Sequence, residues 1–325
     1  MLSIWFNLKN SQNQLPQLRK EISWIKDVPA QALQESIKRL DKAYTSFFKN
    51  GGFPKWAKKG RYNSLTFPQD VKSNQVNTFI LPKLGKVRVF KNRMPNGKLK
   101  TATITKECDG YYLSVTFESE TKNKYPTDKN QAVGIDMGIT FFCIDSNGQF
   151  VENQRIAKKY EKQLRIANRS LSRKKKFSNG WYKKKVVLSK LHRKIARVRH
   201  DFLHKISLEY VKNNSLVVVE DLKVKNMIRN KQLSKHIADT SWSMFFDMLS
   251  YKCRNYEKDF VKVNPQYTSQ TCNSCGNVDK ANRLSQSQFK CTMCFHETNA
   301  DENASKNILS EGIALVRQRE ALACA

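Results

Sequence analysis

The sequence predicts an α/β protein with more than one domain, on three observations. A helical opening gives way to short alternating strands, β-branched runs then alternate with helical stretches, and a paired-cysteine segment interrupts the chain before its last helix. A length of 325 residues with 39% apolar content suffices for two domains or for one core with large insertions.

After an irregular beginning, Leu33, Ile37, Leu40, Tyr44 and Phe47 recur at helical spacing, with Pro29 tolerated in the first turn and Gly51-Gly52 as the stop. Residues 1–52 are therefore expected to be mainly helical. From Phe53 to about Thr121 the pattern turns to short alternating segments, among them Lys86-Val87-Arg88-Val89-Phe90 and Tyr111 to Phe117, separated by Pro-Asn-Gly and Asp-Gly turns. This stretch predicts a small β-rich module. Residues 122–131 carry charge and Pro126 without an apolar period and are expected to be a linker.

A second domain begins at Ala132 with a strand meander: Ala132 to Ile135, Ile139 to Ile144, a Ser146-Asn147-Gly148 turn and Phe150-Val151. Basic helices follow over 158–212, broken at Ser178-Asn179-Gly180 into two antiparallel arms. Their buried face is expected to carry Trp181, Leu188, Leu191, Ile195, Val198, Phe202 and Ile206. Leu216 to Val219 is short and β-branched, a buried strand that ends at Glu220. Trp242, Phe245, Phe246, Leu249, Cys253 and Tyr256 form a helical stripe expected to be core, not a base-stacking surface. Phe260 to Val263 predicts a further strand, and Ala304, Ile308 and Leu315 a closing helix.

The 59 Lys and Arg against 28 Asp and Glu give a net charge of +31, which suits a polyphosphate partner, nucleic acid first. About half of that charge falls between Lys158 and Arg199, with 17 basic residues and one acid, Glu161. A solvated helix surface is the ordinary reading of such lysines, and the one-sided bias argues against it. There is no signal-peptide pattern and no apolar run near the roughly twenty residues of a membrane helix, so the expectation is a cytoplasmic protein without a membrane partner, nucleoid-associated in a prokaryote.

Cys272-x2-Cys275, fifteen residues, then Cys291-x2-Cys294 has the spacing of a zinc ribbon, in which two tight turns each offer two thiolates to one tetrahedral ion. Four sulfur ligands leave no open position, so this Zn²⁺ is expected to be structural. The other cysteines, Cys108, Cys143, Cys253 and Cys324, are scattered, which speaks against a disulfide framework.

Three acids at the ends of separate apolar segments suggest one divalent-metal site: Asp136, Glu220 and Asp301. Each has a structural alternative. Asp136 between Gly134 and Gly138 could close a turn, Glu220 could sit in a salt bridge, and Asp301 could serve a helix N-terminus. For phosphodiester hydrolysis, Mg²⁺ or Mn²⁺ held by carboxylates activates water and stabilises the leaving 3′ oxygen. Asp145, Asp221 and Asp239 are left outside the site. His192, His200 and His204 are read as packing or phosphate contacts, because the basic helix repels a cation.

The chain resembles the OrfB/TnpB family of transposon-encoded RNA-guided DNA nucleases, relatives of type V CRISPR effectors. The likeness runs from Gln31 to Leu309. It is carried by Ala30-Gln31-Ala32-Leu33-Gln34, Gly52-Phe53-Pro54, Val133-Gly134-Ile135-Asp136-Met137-Gly138 and Val219-Glu220-Asp221-Leu222-Lys223. Asn264-Pro265-Gln266-Tyr267-Thr268-Ser269-Gln270-Thr271-Cys272 and Asn299-Ala300-Asp301-Glu302-Asn303-Ala304-Ser305-Lys306-Asn307-Ile308 complete it.

The resemblance implies an RNase H-like (RuvC-like) nuclease domain over 132–264 and 299–325, with a zinc ribbon inserted at 265–298. It also implies a helical recognition lobe over 1–52 and a small β-barrel-like wedge domain over 53–121. Catalytic, Mg²⁺-holding roles fall on Asp136, Glu220 and Asp301. A guide RNA from the transposon end would pair with double-stranded target DNA beside a short recognised motif. A strand and helices that usually open family members are expected to be missing ahead of Met1. Alternatives are a guide-directed DNA-binding repressor, a decayed copy without cleavage, or a transposase acting directly on DNA strands.

Overall fold

In a computed structural model, which describes residues 8–49, 51–56, 62–74, 77–90, 97–118, 131–227, 229 and 234–323, the chain divides into two units, Met1–Thr121 and Lys122–Ala325.

The first unit opens with helix α1 (Leu8–Glu21), a 3₁₀ turn (Ser23–Asp27) and helix α2 (Ala30–Phe48). Pro29 sits at the start of α2, where a missing N–H costs no helical hydrogen bond. The irregular beginning expected of the chain is in part a helix. Residues Leu8, Leu15 and Leu18 are too sparse to print a period, and Pro16 lies inside α1.

Six strands follow: β1 (Ser64–Phe67), β2 (Lys72–Ser73), β3 (Thr78–Leu81), β4 (Gly85–Arg88), β5 (Lys98–Glu107) and β6 (Gly110–Glu118). They form two antiparallel three-stranded sheets, β1-β5-β6 and β2-β3-β4, over a small core of Phe67, Val71, Phe79, Leu81 and Ala102. The barrel-like wedge expected here is not a closed barrel among the described residues: strands of two to four residues in the second sheet are too short to carry a ladder round a cylinder. The stretch expected to be a linker lies outside the described residues except for Gln131.

The second unit is built on one five-stranded sheet of order β11-β10-β7-β8-β9. Strands β7 (Ala132–Met137), β8 (Phe141–Asp145) and β9 (Phe150–Glu152) form the antiparallel meander. Helices α3 (Ile156–Ser172) and α4 (Asn179–Asn213) then lead to β10 (Leu216–Glu220), which lies parallel to β7. Short helices α5 (Val224–Met227) and α6 (Ser234–Thr240) precede α7 (Trp242–Asn255), which returns the chain to β11 (Asp259–Val263), parallel to β10. A 3₁₀ turn (Lys280–Asn282) and the strands β12 (Gln288–Lys290) and β13 (Glu297–Asn299) make up the cysteine segment before α8 (Ala300–Ala323).

Strand alternation splits the sheet into two faces. Val133, Ile135, Val217 and Val219 turn to one side, where Leu203, Tyr210 and Val211 of α4 and Trp242, Phe245, Phe246 and Leu249 of α7 cover them. The aromatic stripe of α7 is thus core. The buried side of α4 runs through Ile195, Leu203, Ser207, Tyr210 and Val211, and the expected Val198 is exposed: only the second half of this 35-residue helix meets the sheet, so one period does not describe it.

The opposite face carries Val218, Val261 and Val263 against Ile308 of α8. Two glycines set how close that helix comes. A Cβ on Gly134 would lie 2.2 Å from the Ser305 carbonyl oxygen, and one on Gly312 would lie 2.4 Å from Val218 Cγ2. No side chain fits at either contact.

Candidate catalytic acids and metal centre

The register of β7 and β10 brings two of the three acids together. Val219 pairs with Ile135, so Glu220 and Asp136 are the next residues along two adjacent parallel strands, at their carboxyl ends. Both turn to the face that α8 covers. Asn299 caps α8, its Oδ1 accepting from the N–H of Asp301 at 2.9 Å and of Glu302 at 3.3 Å, and this fixes Asp301 in the first turn of the helix. The glycine contact at Gly134 then seats that turn over the strand ends.

The electrostatics record the grouping. Burial, then the charges of Glu220 and Asp301, push the Asp136 carboxyl well above the usual carboxylate range, while the Arg283 guanidinium and the Met137 N–H oppose the rise. Burial raises Glu220, which is 8% exposed; the Thr268 hydroxyl donating to its Oε1 at 2.6 Å holds it down, and Glu311 of α8 raises it further. Asp301 is raised by burial and lowered by Arg283, whose Nη2 lies 2.8 Å from its Oδ1. One guanidinium faces Asp301 and Asp136, and the other two acids both repel the charge of Asp136. Carboxylate oxygens are the ligands that hard divalent cations such as Mg²⁺ and Mn²⁺ take.

Arg283 and Thr268 were not singled out by sequence reasoning. Thr268 lies within the Asn264–Cys272 motif, but no spacing rule ties its hydroxyl to Glu220. Arg283 is one of 59 basic residues, and only the fold of the cysteine segment turns it to Asp301.

The acids outside the site have other work. Asp239 accepts from Arg199 Nη2 at 2.7 Å and from the Ala157 N–H at the start of α3. Asp145 accepts the N–H groups of Asn147 and Gln149 in the β8–β9 turn, and Asp221 meets Lys262 at 3.8 Å. His204 contacts Tyr251 Oη at 3.5 Å and packs by His200, and burial lowers its pKa. His192 lies on α4 and is exposed.

In the cysteine segment, Cys272, Cys275, Cys291 and Cys294 bring their sulfurs within 4.8 Å of one another, with 3.7 Å between Cys272 and Cys294 and 3.5 Å between Cys275 and Cys291. A tetrahedral zinc with bonds of about 2.3 Å needs ligand sulfurs about 3.8 Å apart, so the four fit that ion. The backbone N–H groups of Cys294 and Met293 donate to Cys291 Sγ at 3.4 Å, hydrogen bonds that favour the thiolate, the form that binds metal. Asn303 and Asn307 tie the segment to α8, donating to the Thr271 carbonyl, both at 2.7 Å. The ribbon therefore helps hold the helix that carries Asp301.

Comparison with known proteins agrees with this architecture. Residues 114–231 match the family OrfB_IS605, described as "Probable transposase", and residues 242–308 match "Cas12f1-like, TNB domain". "Putative RNA-guided DNA endonuclease InsQ" of Escherichia coli K12 is 39% identical over 313 residues, covering 91% of this chain and 78% of the relative. A "Putative RNA-guided DNA endonuclease" of Streptomyces pristinaespiralis is 29% identical, covering 91% and 74%. The Cas12f1 chain of a cryo-EM complex with sgRNA and target DNA shares the fold at a TM-score of 0.58 and 14% identity, covering 93% of this chain and 79% of that one. The motifs, the α/β fold and the identity shared across most of both chains with InsQ lead to one conclusion: the chain belongs to the OrfB/TnpB family of transposon-encoded RNA-guided DNA endonucleases.

Proposed function

We propose that the protein is a guide-RNA-directed, metal-dependent DNA endonuclease whose catalytic acids are Asp136, Glu220 and Asp301 in an RNase H-like (RuvC-like) domain. One observation carries this reading: the half-buried Asp136 is held at the strand ends where Glu220 and Asp301 both raise the cost of its charge. When bound there, Mg²⁺ or Mn²⁺ supplies an activated water and neutralises charge on the leaving 3′ oxygen.

The chain's own residues prepare that chemistry. Asp136 and Glu220, on rigid neighbouring strands, present carboxylate oxygens from one face of the sheet. Thr268 keeps Glu220 closer to ionisation, and Arg283 does the same for Asp301 while fixing its orientation. The four cysteines hold Zn²⁺ structurally in a ribbon over 265–298.

Residues 1–52 are read as a recognition lobe, 53–121 as a wedge domain, 122–131 as a linker, and 132–264 with 299–325 as the nuclease. The partners are a guide RNA from the transposon end and double-stranded target DNA, met in the cytoplasm at the nucleoid. The net charge of +31 supports nucleic-acid partners. No described helix is long and apolar enough to cross a membrane.

The test is to express the protein with its flanking transposon DNA, recover the bound RNA, and incubate the complex with Mg²⁺ and a matching plasmid library randomised beside the target. Cleavage that disappears in Asp136→Ala, with RNA still bound, is the expected result. Cleavage retained in that variant overturns the site. RNA-dependent binding without cleavage by the parent protein identifies a repressor instead.

A further inference from the structure

The tip of the helical hairpin formed by α3 and α4 exposes aromatic rings where packing does not call for them. Phe177 is 73% exposed with a left-handed backbone (φ +66°), a conformation that disfavours a bulky side chain and that Asn or Gly would adopt with less strain. Tyr182 is 49% exposed, and Val186 and Val187 extend the patch along α4. Trp181 lies between the two rings, its centroid 5.6 Å from Phe177 and 5.2 Å from Tyr182, with Lys185 Nζ 5.0 Å over its ring. The turn is preorganised: Ser178 accepts the Trp181 N–H at 3.2 Å and donates to the Lys175 carbonyl at 2.7 Å.

Around these rings stand Arg173, Lys174, Lys175, Lys176, Lys183, Lys184 and Lys185, all exposed, and among the described residues none of them forms an ion pair. Seven cations on one turn repel one another, and another copy of so basic a chain adds to the repulsion. A polyphosphate relieves it. Exposed ring faces inside a basic patch are what unpaired bases stack on, since every base has a π-face whatever its sequence. A duplex hides those faces.

We propose that the tip of this hairpin is a stacking platform for single-stranded nucleic acid, with Phe177 and Tyr182 taking unpaired bases and the surrounding lysines the phosphates. This site is separate from the acid cluster and does not depend on cleavage.

To test it, the full-length protein is titrated into three fluorescein-labelled probes: oligo(dT), oligo(U) and a blunt DNA duplex. Replacing both rings, Phe177→Ala with Tyr182→Ala, should weaken single-strand binding about tenfold and leave duplex affinity and the salt dependence unchanged. A larger loss on oligo(U) assigns the platform to RNA, and on oligo(dT) to DNA. Phe177→Trp with Tyr182→Phe, which keeps both rings, should restore parental affinity. If the alanine pair loses helical circular dichroism, Phe177→Asn removes the ring in a backbone conformation that Asn accepts, and serves in its place. Unchanged single-strand affinity, or an equal loss on duplex, overturns the proposal. Loss of a sedimenting dimer with unchanged oligonucleotide binding overturns it too, by making the patch a contact between copies.

Discussion

At the residue scale, three acids with raised pKa values make metal binding sensitive to pH. A carboxyl must lose its proton to take a cation, so Mg²⁺ binding should fall as pH drops through values above those of ordinary carboxylates. The sign for stability is the reverse. A carboxyl raised in the folded state binds its proton more tightly there, so the metal-free protein should lose stability as pH rises through the Asp136 value, and Mg²⁺ should restore it. Thermal melts from acid to neutral pH of the parent and of Asp136→Asn, with and without Mg²⁺, check both signs; a metal-free parent that does not lose stability relative to the variant as pH rises contradicts the assignment. Thr268→Val removes a hydrogen bond that lowers the Glu220 pKa. The acid limb of Mg²⁺ binding should therefore move to higher pH, with a stability loss of roughly 1.5–3 kcal/mol from the charge-assisted bond. Calorimetric titration with Mg²⁺ across pH reads this, and an unmoved limb would detach Thr268 from the site.

At the element scale, the seating of α8 on β7 and β10 decides where Asp301 lies. Gly134→Ala places a methyl group 2.2 Å from the Ser305 carbonyl oxygen, backbone that cannot step aside, and should cost about 1–3 kcal/mol while lowering cleavage. Gly312→Ala instead meets the side chain of Val218, so adding Val218→Ala should recover part of the loss, a coupling that urea denaturation of the double-mutant cycle measures. Strict additivity would show that the two residues do not share a contact. The ribbon is the second element that positions the helix. Cys291→Ser should abolish binding of about one Zn²⁺ per chain. It should also loosen the Asn303 and Asn307 contacts to Thr271, seen as faster amide exchange at the start of α8.

At the scale of the whole molecule, a net charge of +31 makes nucleic-acid affinity mainly electrostatic. With six or more phosphate contacts it should drop by roughly a thousandfold between about 50 and about 200 mM salt. Fluorescence anisotropy against salt concentration gives the slope, and a flat curve would refute phosphate contact as the source of affinity. The charge is also concentrated: the helical hairpin of the second unit holds about half of it, so neutralising the hairpin should remove more of the slope than neutralising the same number of lysines in the first unit.

Much of this was written in the order of residues. The β-branched runs ending at Asp136 and Glu220, the stripe on α7 and the cysteine spacing are local patterns, and local patterns need only neighbours along the chain to be read. α1 was less legible, because sparse leucines and Pro16 blur its period, and so was the buried side of α4, where one helix changes environment halfway. The sequence by itself determined the α/β class, the four-cysteine cluster and the three candidate acids with their segments. Only the tertiary structure decided that the first unit's strands form two small sheets, that Arg283 and Thr268 join the acids, and that two glycines draw α8 against the sheet. Those facts depend on contacts between residues far apart in the chain, and such contacts are set by packing and register, which no short stretch of sequence contains.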